Sequence, residues 1–331
     1  MKRSAMLMGM LVCLMMAPMM ITAASRSGIY QDDPAKAEAD AYKAWYDAYN
    51  AKDLEKGYEL AKAFIAKYPS SDKASYMKKY LVTARAGLFN KARTDKNIAE
   101  EIKLGNEALA EDPDNLDYVF LLSLDIRANE LSASPPNYSH ANELSDYSRR
   151  AIKLIEAGKV PAVVDKTKWN QNQQLGALYD ALGRIDAKEK RTDKAIESLK
   201  KAATLDPTNA SYFLTLGSLY YQEKYAPAAT KYQAFPQADR DATEPKPEVK
   251  AALDEVFANA DVVIENWARF MALTAGSDPW KPTRDNINQA LTAIYKYRHP
   301  DDADGLQKLI DKYKSNGSPA GGAAAASSTK Q

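Results

Sequence analysis

Apolar residues recur three and four positions apart along most of the chain, with charged residues between them. Leu175, Leu178, Tyr179 and Leu182 form one stripe, and Ala195, Ile196, Leu199, Ala202 and Ala203 a second. That period belongs to a helix with one buried face. Small residues at Ala195 and Ala202 let the second helix nest tightly on the first. Asp206-Pro207 ends that helix, because proline disfavours helical backbone in the residue before it. Thr208 and Asn209 are suited to cap the next one. Gly176 and Gly217 stand mid-helix, where glycine costs about 1 kcal/mol against alanine. A helix tolerates that cost where a neighbour approaches closely. The predicted unit is a helical hairpin with one apolar seam, which needs stacked neighbours to bury its outer faces.

The same pattern extends in both directions. Tyr42, Trp45, Tyr46 and Tyr49 line one face of a first helix, and Gly57, Leu60, Ala61, Phe64 and Ile65 mark its partner. Tyr76, Tyr80, Ala84 and Leu88 pair with Ile98, Ile102, Gly105, Ala108 and Leu109 in a second unit. Val119, Leu122, Ser123 and Ile126 open a third, whose return helix carries Tyr147, Ala151, Leu154 and Ile155 after a loop at Ser134-Pro135-Pro136. The stretch from Leu175 to Pro207 is the fourth, and residues 210–235 the fifth. Proline and acidic residues make 236–247 a linker. The period resumes from Val249 to Met271 and then at Ile287, Leu291, Ile294, Leu306, Leu309 and Ile310, so 248–314 is predicted to be a set of capping helices. The low-complexity tail 315–331 is expected to be disordered.

The run Leu175, Gly176, Tyr179, Ala195, Leu199, Ala202 and Pro207 resembles the tetratricopeptide repeat, and Phe213, Leu216, Gly217, Tyr220 and Ala229 repeat its first half. The distance from Gly176 to Pro207 is about two helical turns longer than the family's spacing, which places an elongated first helix and its turn at residues 183–191. Ala61, Phe64, Tyr68, Pro69 and Ser71 resemble the repeats of bacterial outer-membrane assembly and Tol-Pal-associated proteins. The resemblance implies an all-α fold: an α-solenoid of about five such hairpins over residues 35–235, with a helical C-terminal cap.

Charge and composition exclude several roles. Lys and Arg number 45 against 44 Asp and Glu, so no electrostatic footprint for nucleic acid is present. Lys2 and Arg3, the apolar run at residues 5–21 and the small residues Thr22-Ala23-Ala24-Ser25 match a secretory signal peptide over residues 1–24, followed by a leader at 25–34. Cys13 is the single cysteine and lies within the apolar run, so lipidation is not expected and the processed chain carries no thiol. These features predict an exported protein, periplasmic or secreted, with no stable membrane anchor after cleavage; retention of the apolar run as an anchor is the competing expectation.

No nucleophile elbow, phosphate loop or zinc motif is present. His140 and His299 are far apart. The acidic groups Asp112, Asp114, Asp117 and Asp301, Asp302, Asp304 lack the calcium-loop ladder and are read as helix stops and caps. No enzyme activity, cofactor or metal is predicted. The family resemblance puts the first helix of each hairpin on a concave groove, which nominates Asn170, Gln173, Ala177 and Asp180 in the fourth unit. In the fifth it nominates Ser211, Leu214, Ser218, Tyr221 and Gln222. The predicted function is a non-enzymatic scaffold binding a protein or peptide in the bacterial cell envelope. The alternative is a small-ligand or glycan-binding envelope protein that uses aromatic groove residues.

Overall fold

Short polar side chains set the helix starts. Asp33, Asp53, Asn97, Asn170 and Asn209 each accept from a backbone N–H in the first turn that follows. Each cap satisfies a donor the helix cannot, a contribution of about 1 kcal/mol. Lysine sets three of the turns. Lys52, Lys96 and Lys190 take left-handed backbone at φ 58°, 55° and 63°, each just before a second helix begins.

A computed structural model describes residues 33–317, with side chains to residue 314. The predicted signal peptide, most of the leader and nearly all of the tail lie outside these residues. Among the described residues every regular element is helical. The chain falls into two compact units, up to Met77 and from Lys78 onward. In the first, α1 (Pro34–Asn50) and α2 (Leu54–Lys67) form a hairpin closed by Trp45, Ala48, Tyr58, Ala61 and Phe64, all buried. α3 (Ala74–Thr94) begins in this unit.

In the second unit, α3 pairs with α4 (Ile98–Glu111) through Arg85, which donates to both carboxylate oxygens of Glu111. Next come α5 (Leu116–Ile126), which runs into a π-helical turn at Arg127–Leu131, and α6 (Ala141–Glu156). α7 (Gln171–Lys188) and α8 (Thr192–Leu205) form the hairpin expected there. α4 packs on α5, α6 on α7 and α8 on α9, so within this unit successive hairpins cover one another's open faces.

The structure corrects the register of the fourth repeat. A Cβ on Gly176 would meet its neighbours at 3.4 Å, ordinary contact. A Cβ on Gly183 would sit 2.6 Å from Leu199 Cγ and 3.2 Å from the Ala195 carbonyl oxygen. Gly183 is therefore the glycine at the close helix crossing. It lies 34 residues before Gly217, one family period. α7 is indeed elongated, but its added turns precede the repeat glycine rather than follow it.

The fifth hairpin also differs. α9 (Ala210–Tyr220) continues through a second π-helical turn, Tyr221–Tyr225, into α10 (Ala226–Gln233) with no reversal. Lys224 is one period after Lys190 but makes no turn, and Tyr225 stands where Asp53 and Asn97 cap α2 and α4. A phenol cannot cap; its ring stacks on Tyr221 instead. After the short α11 (Gln237–Arg240), α12 (Pro247–Leu273) returns antiparallel along this long arm. Phe213 meets Phe270, Gly217 meets Trp267, and Tyr232 meets Val249, Ala252 and Val256. The helix expected to cap the solenoid is thus the second arm of its fifth hairpin. The covering role passes to α13 (Lys281–Arg298) and α14 (Gly305–Gly317), which bury Leu291, Ile294, Tyr295 and Ile310 on α12.

Candidate functional site

The groove residues nominated from sequence do not act alike. Asn170 and Ser211 serve helix starts: Asn170 accepts from the Gln173 amide, and the Ser211 hydroxyl and amide both donate to Asn209. Gln173 and Gln222 are exposed, and Ser218 is half-buried. Ala177 and Leu214 are half-buried as well. Tyr221 is stacked on Tyr225 and tilted against Trp267 of α12, 5.3 Å between centroids, so its ring belongs to the seam of the fifth hairpin.

Asp180 is the exception that organises its surroundings. Its carboxylate is fully buried and grips two guanidiniums. Arg127 donates to Oδ2 from Nε at 3.2 Å and from Nη2 at 2.8 Å. Arg184, one turn further along α7, donates to Oδ1 from Nε at 2.9 Å. A free carboxylate there would carry a heavy desolvation cost; two charge-assisted partners offset it. Asp180 is therefore not open to a ligand. It holds two arginines whose side chains are each about one-fifth exposed.

Aromatic and basic side chains surround this pair. Tyr212 of α9 is buried close to Arg127 and Asp180, and burial pushes its hydroxyl up to about 12. Tyr138, from the loop before α6, is also raised by burial and lies close to Arg184 and Asp180. Lys188 Nζ stands 5.5 Å over the Tyr138 ring. Three cations and one carboxylate thus converge where the third, fourth and fifth hairpins meet. In this niche the arginines are fixed by a buried carboxylate yet partly exposed, and the guanidinium N–H groups not spent on Asp180 suit an anionic group.

Sequence reasoning missed Arg127, Arg184, Lys188 and Tyr138. A usable signal was present for Arg127. Asn115 precedes α5 as Asn209 precedes α9, and both helices pass into a π-helical turn after the same number of residues. Arg127 leads the first of these turns and Tyr221 the second, so the position that nominates Tyr221 also nominates Arg127.

Other candidates are weaker. A cleft of about 480 Å³ is lined by Tyr179, Lys200, Lys201, Thr204 and Leu205, but Tyr179 already donates to Glu156 and Lys201 lies over the Tyr179 ring. His140 is tied to Glu130 through its backbone N–H and Nδ1, which anchors the loop before α6. Among the described residues no group of three or more His, Cys, Asp or Glu is placed to hold a metal ion. No described helix is long and apolar enough to cross a membrane.

Comparison with known proteins agrees with the repeat reading. Residues 183–233 match the family model described as TPR repeat, which starts at the glycine singled out by packing. Solved structures similar to the chain include one described as the crystal structure of MamA, with 16% identity, 70% of this chain and 92% of that one covered, and a TM-score of 0.37. Another is that of Pseudomonas aeruginosa PilF, with 12% identity, 85% and 98% covered, and a TM-score of 0.31. Superpositions at that level locate neither a site nor a partner. No curated protein matches the chain.

Proposed function

We propose that this chain is an exported scaffold of the bacterial cell envelope that binds a protein partner along its first helices. Tetratricopeptide folds are protein-interaction scaffolds and are generally non-catalytic. The observation that carries the finer reading is the pair of guanidiniums, Arg127 and Arg184, fixed on one buried carboxylate. A group held this way loses little conformational freedom on binding, so less of the contact energy is spent on ordering. The partner offers an acidic side chain or a chain-terminal carboxylate to the niche, with Tyr138 and Lys188 at its edge. The basic start, apolar run and small residues within positions 2–25 support export.

In-cell crosslinking from a photoreactive residue at the edge of the niche, in place of exposed Lys188, tests this reading. One recurring protein is expected when Arg184 is present, and its capture is expected to be lost in Arg184→Gln. Equal capture with and without Arg184 overturns the niche assignment. No protein captured above background overturns the scaffold reading at this face. Export is read separately, from the fraction that reaches the envelope and the size of the processed chain.

One observation favours a second reading. In the first unit Tyr46, Tyr49 and Tyr76 are each about half exposed, and Tyr49 and Tyr76 rest on buried Trp45 at 5.4 and 5.6 Å. Exposed tyrosine rings of this kind also suit a glycan. Saturable binding of cell-wall fragments, lost in Tyr49→Ala, would support it.

A further inference from the structure

Glu101 lies on the first full turn of α4 with no exposed surface, and neither of its carboxyl oxygens meets a donor. Asp125 of α5 shares a guanidinium with it. Arg93 of α3 stands 3.9 Å away and donates from Nε to Asp125 Oδ2 at 2.5 Å. Three consecutive helices thus meet at two acids and one base. A single guanidinium balances a single negative charge. Glu101 is sealed from water while Asp125 is a quarter exposed and already takes the short bond from Arg93, so of two carboxylates sharing one guanidinium the sealed one keeps its proton.

We infer that Glu101 keeps its proton beside Asp125 at the α3–α4–α5 joint, and that losing it loosens this joint: a pH-responsive seam one step from Arg127. With the proton present, Glu101 is neutral, and Asp125 accepts from Arg93. Without it, two anions compete for Arg93 and the helices gain by separating until water enters. Burial is the largest cause holding the Glu101 carboxyl up, to about 8; Asp125 acts in the same direction and Arg93 opposes. The helix N-terminus also favours the anion, but within the first turn that effect is the smaller one.

Several other charged groups on these elements are engaged elsewhere. Glu100 pairs with Lys103 on α4, Lys91 of α3 with Asp95 in the turn after it, and Arg85 with Glu111 near the far end of the α3–α4 pair. From α6, Tyr147 faces α4 by donating to Asn106 at 2.6 Å, and its hydroxyl is raised to about 12, well above the range in question. Asp125 and Arg127 sit two residues apart on one helix end, so movement at Asp125 reaches the arginine held by Asp180.

Hydrogen exchange of the full chain at pH 6.5 and pH 9, corrected for intrinsic rates, tests the inference. Amides of α4 and of the end of α5 are expected to lose at least tenfold protection at the higher pH. Glu101→Gln keeps a donor but has no proton to lose, and is expected to show no such change. The same loss in both proteins overturns the inference. Should Glu101→Gln fail to fold, the infrared band of a buried protonated carboxyl in the unmodified chain decides: present at pH 6.5 and gone at pH 9 supports the retained proton, and its absence at pH 6.5 overturns it.

Discussion

Arg127 and Asp180 are 53 residues apart in sequence, and Arg127 Nη2 donates to Asp180 Oδ2 at 2.8 Å. The contact ties the third hairpin to the fourth. Asp180 has no exposed surface, so its removal leaves Arg127 and Arg184 facing each other without a counter-charge. Breaking a buried pair this way costs about 3–5 kcal/mol. Asp180→Ala is expected to lower unfolding free energy by that order in a denaturant titration. A loss within the noise of the titration would mean that solvent already screens the pair.

The register of the fourth repeat can be tested with two alanines. Gly176→Ala meets only ordinary contacts and gains helix propensity, so stability should stay level or rise by up to about 1 kcal/mol. Gly183→Ala drives a methyl into Leu199, itself fully buried, and should cost about 1–3 kcal/mol after that gain. Melting temperatures of the two variants would separate the registers; the reverse order would restore Gly176 as the repeat glycine.

Lys190 holds φ at 63° in the turn between α7 and α8. A β-branched residue tolerates that backbone poorly, whereas glycine adopts it freely. Lys190→Val is expected to destabilise by about 1–2 kcal/mol, and Lys190→Gly to be neutral or slightly stabilising. Chemical denaturation of the pair reads the difference directly.

Stability should depend on pH through Glu101. Its carboxyl is held above the usual 4.5, at about 8, so the folded chain binds a proton that the unfolded chain has released. The stabilisation is complete below about pH 4.5, declines as pH rises, and is gone above about 8. The slope between is up to about 1.4 kcal/mol per pH unit. Unfolding free energies measured across that range should show this decline in the unmodified chain and not in Glu101→Gln.

Much of the fold was legible because it is local. Leu175, Leu178 and Leu182 repeat at helical spacing, Asn209 reads as a cap, and Pro207 as a stop; all three signals act within a turn or two. The fifth hairpin was harder. Ala229 fits the repeat pattern, yet Tyr225 neither turns nor caps, and the return arm is supplied from Pro247 onward. The site was largely hidden, since charge pairing across 53 residues leaves no trace in periodicity. Asp180 looked like an open groove residue because a polar side chain on a helix gives no sign of whether another helix covers it.

From its residues alone this chain is a run of amphipathic helical hairpins with tetratricopeptide spacing, since period, caps and stops follow from backbone geometry and side-chain shape. Tertiary structure alone decided which glycine lies at the close crossing, which helix completes the fifth hairpin, and which cations Asp180 gathers. Those outcomes depend on atoms distant in sequence meeting in a space that excludes water, where a 2.6 Å clash or an unpaired charge settles the arrangement.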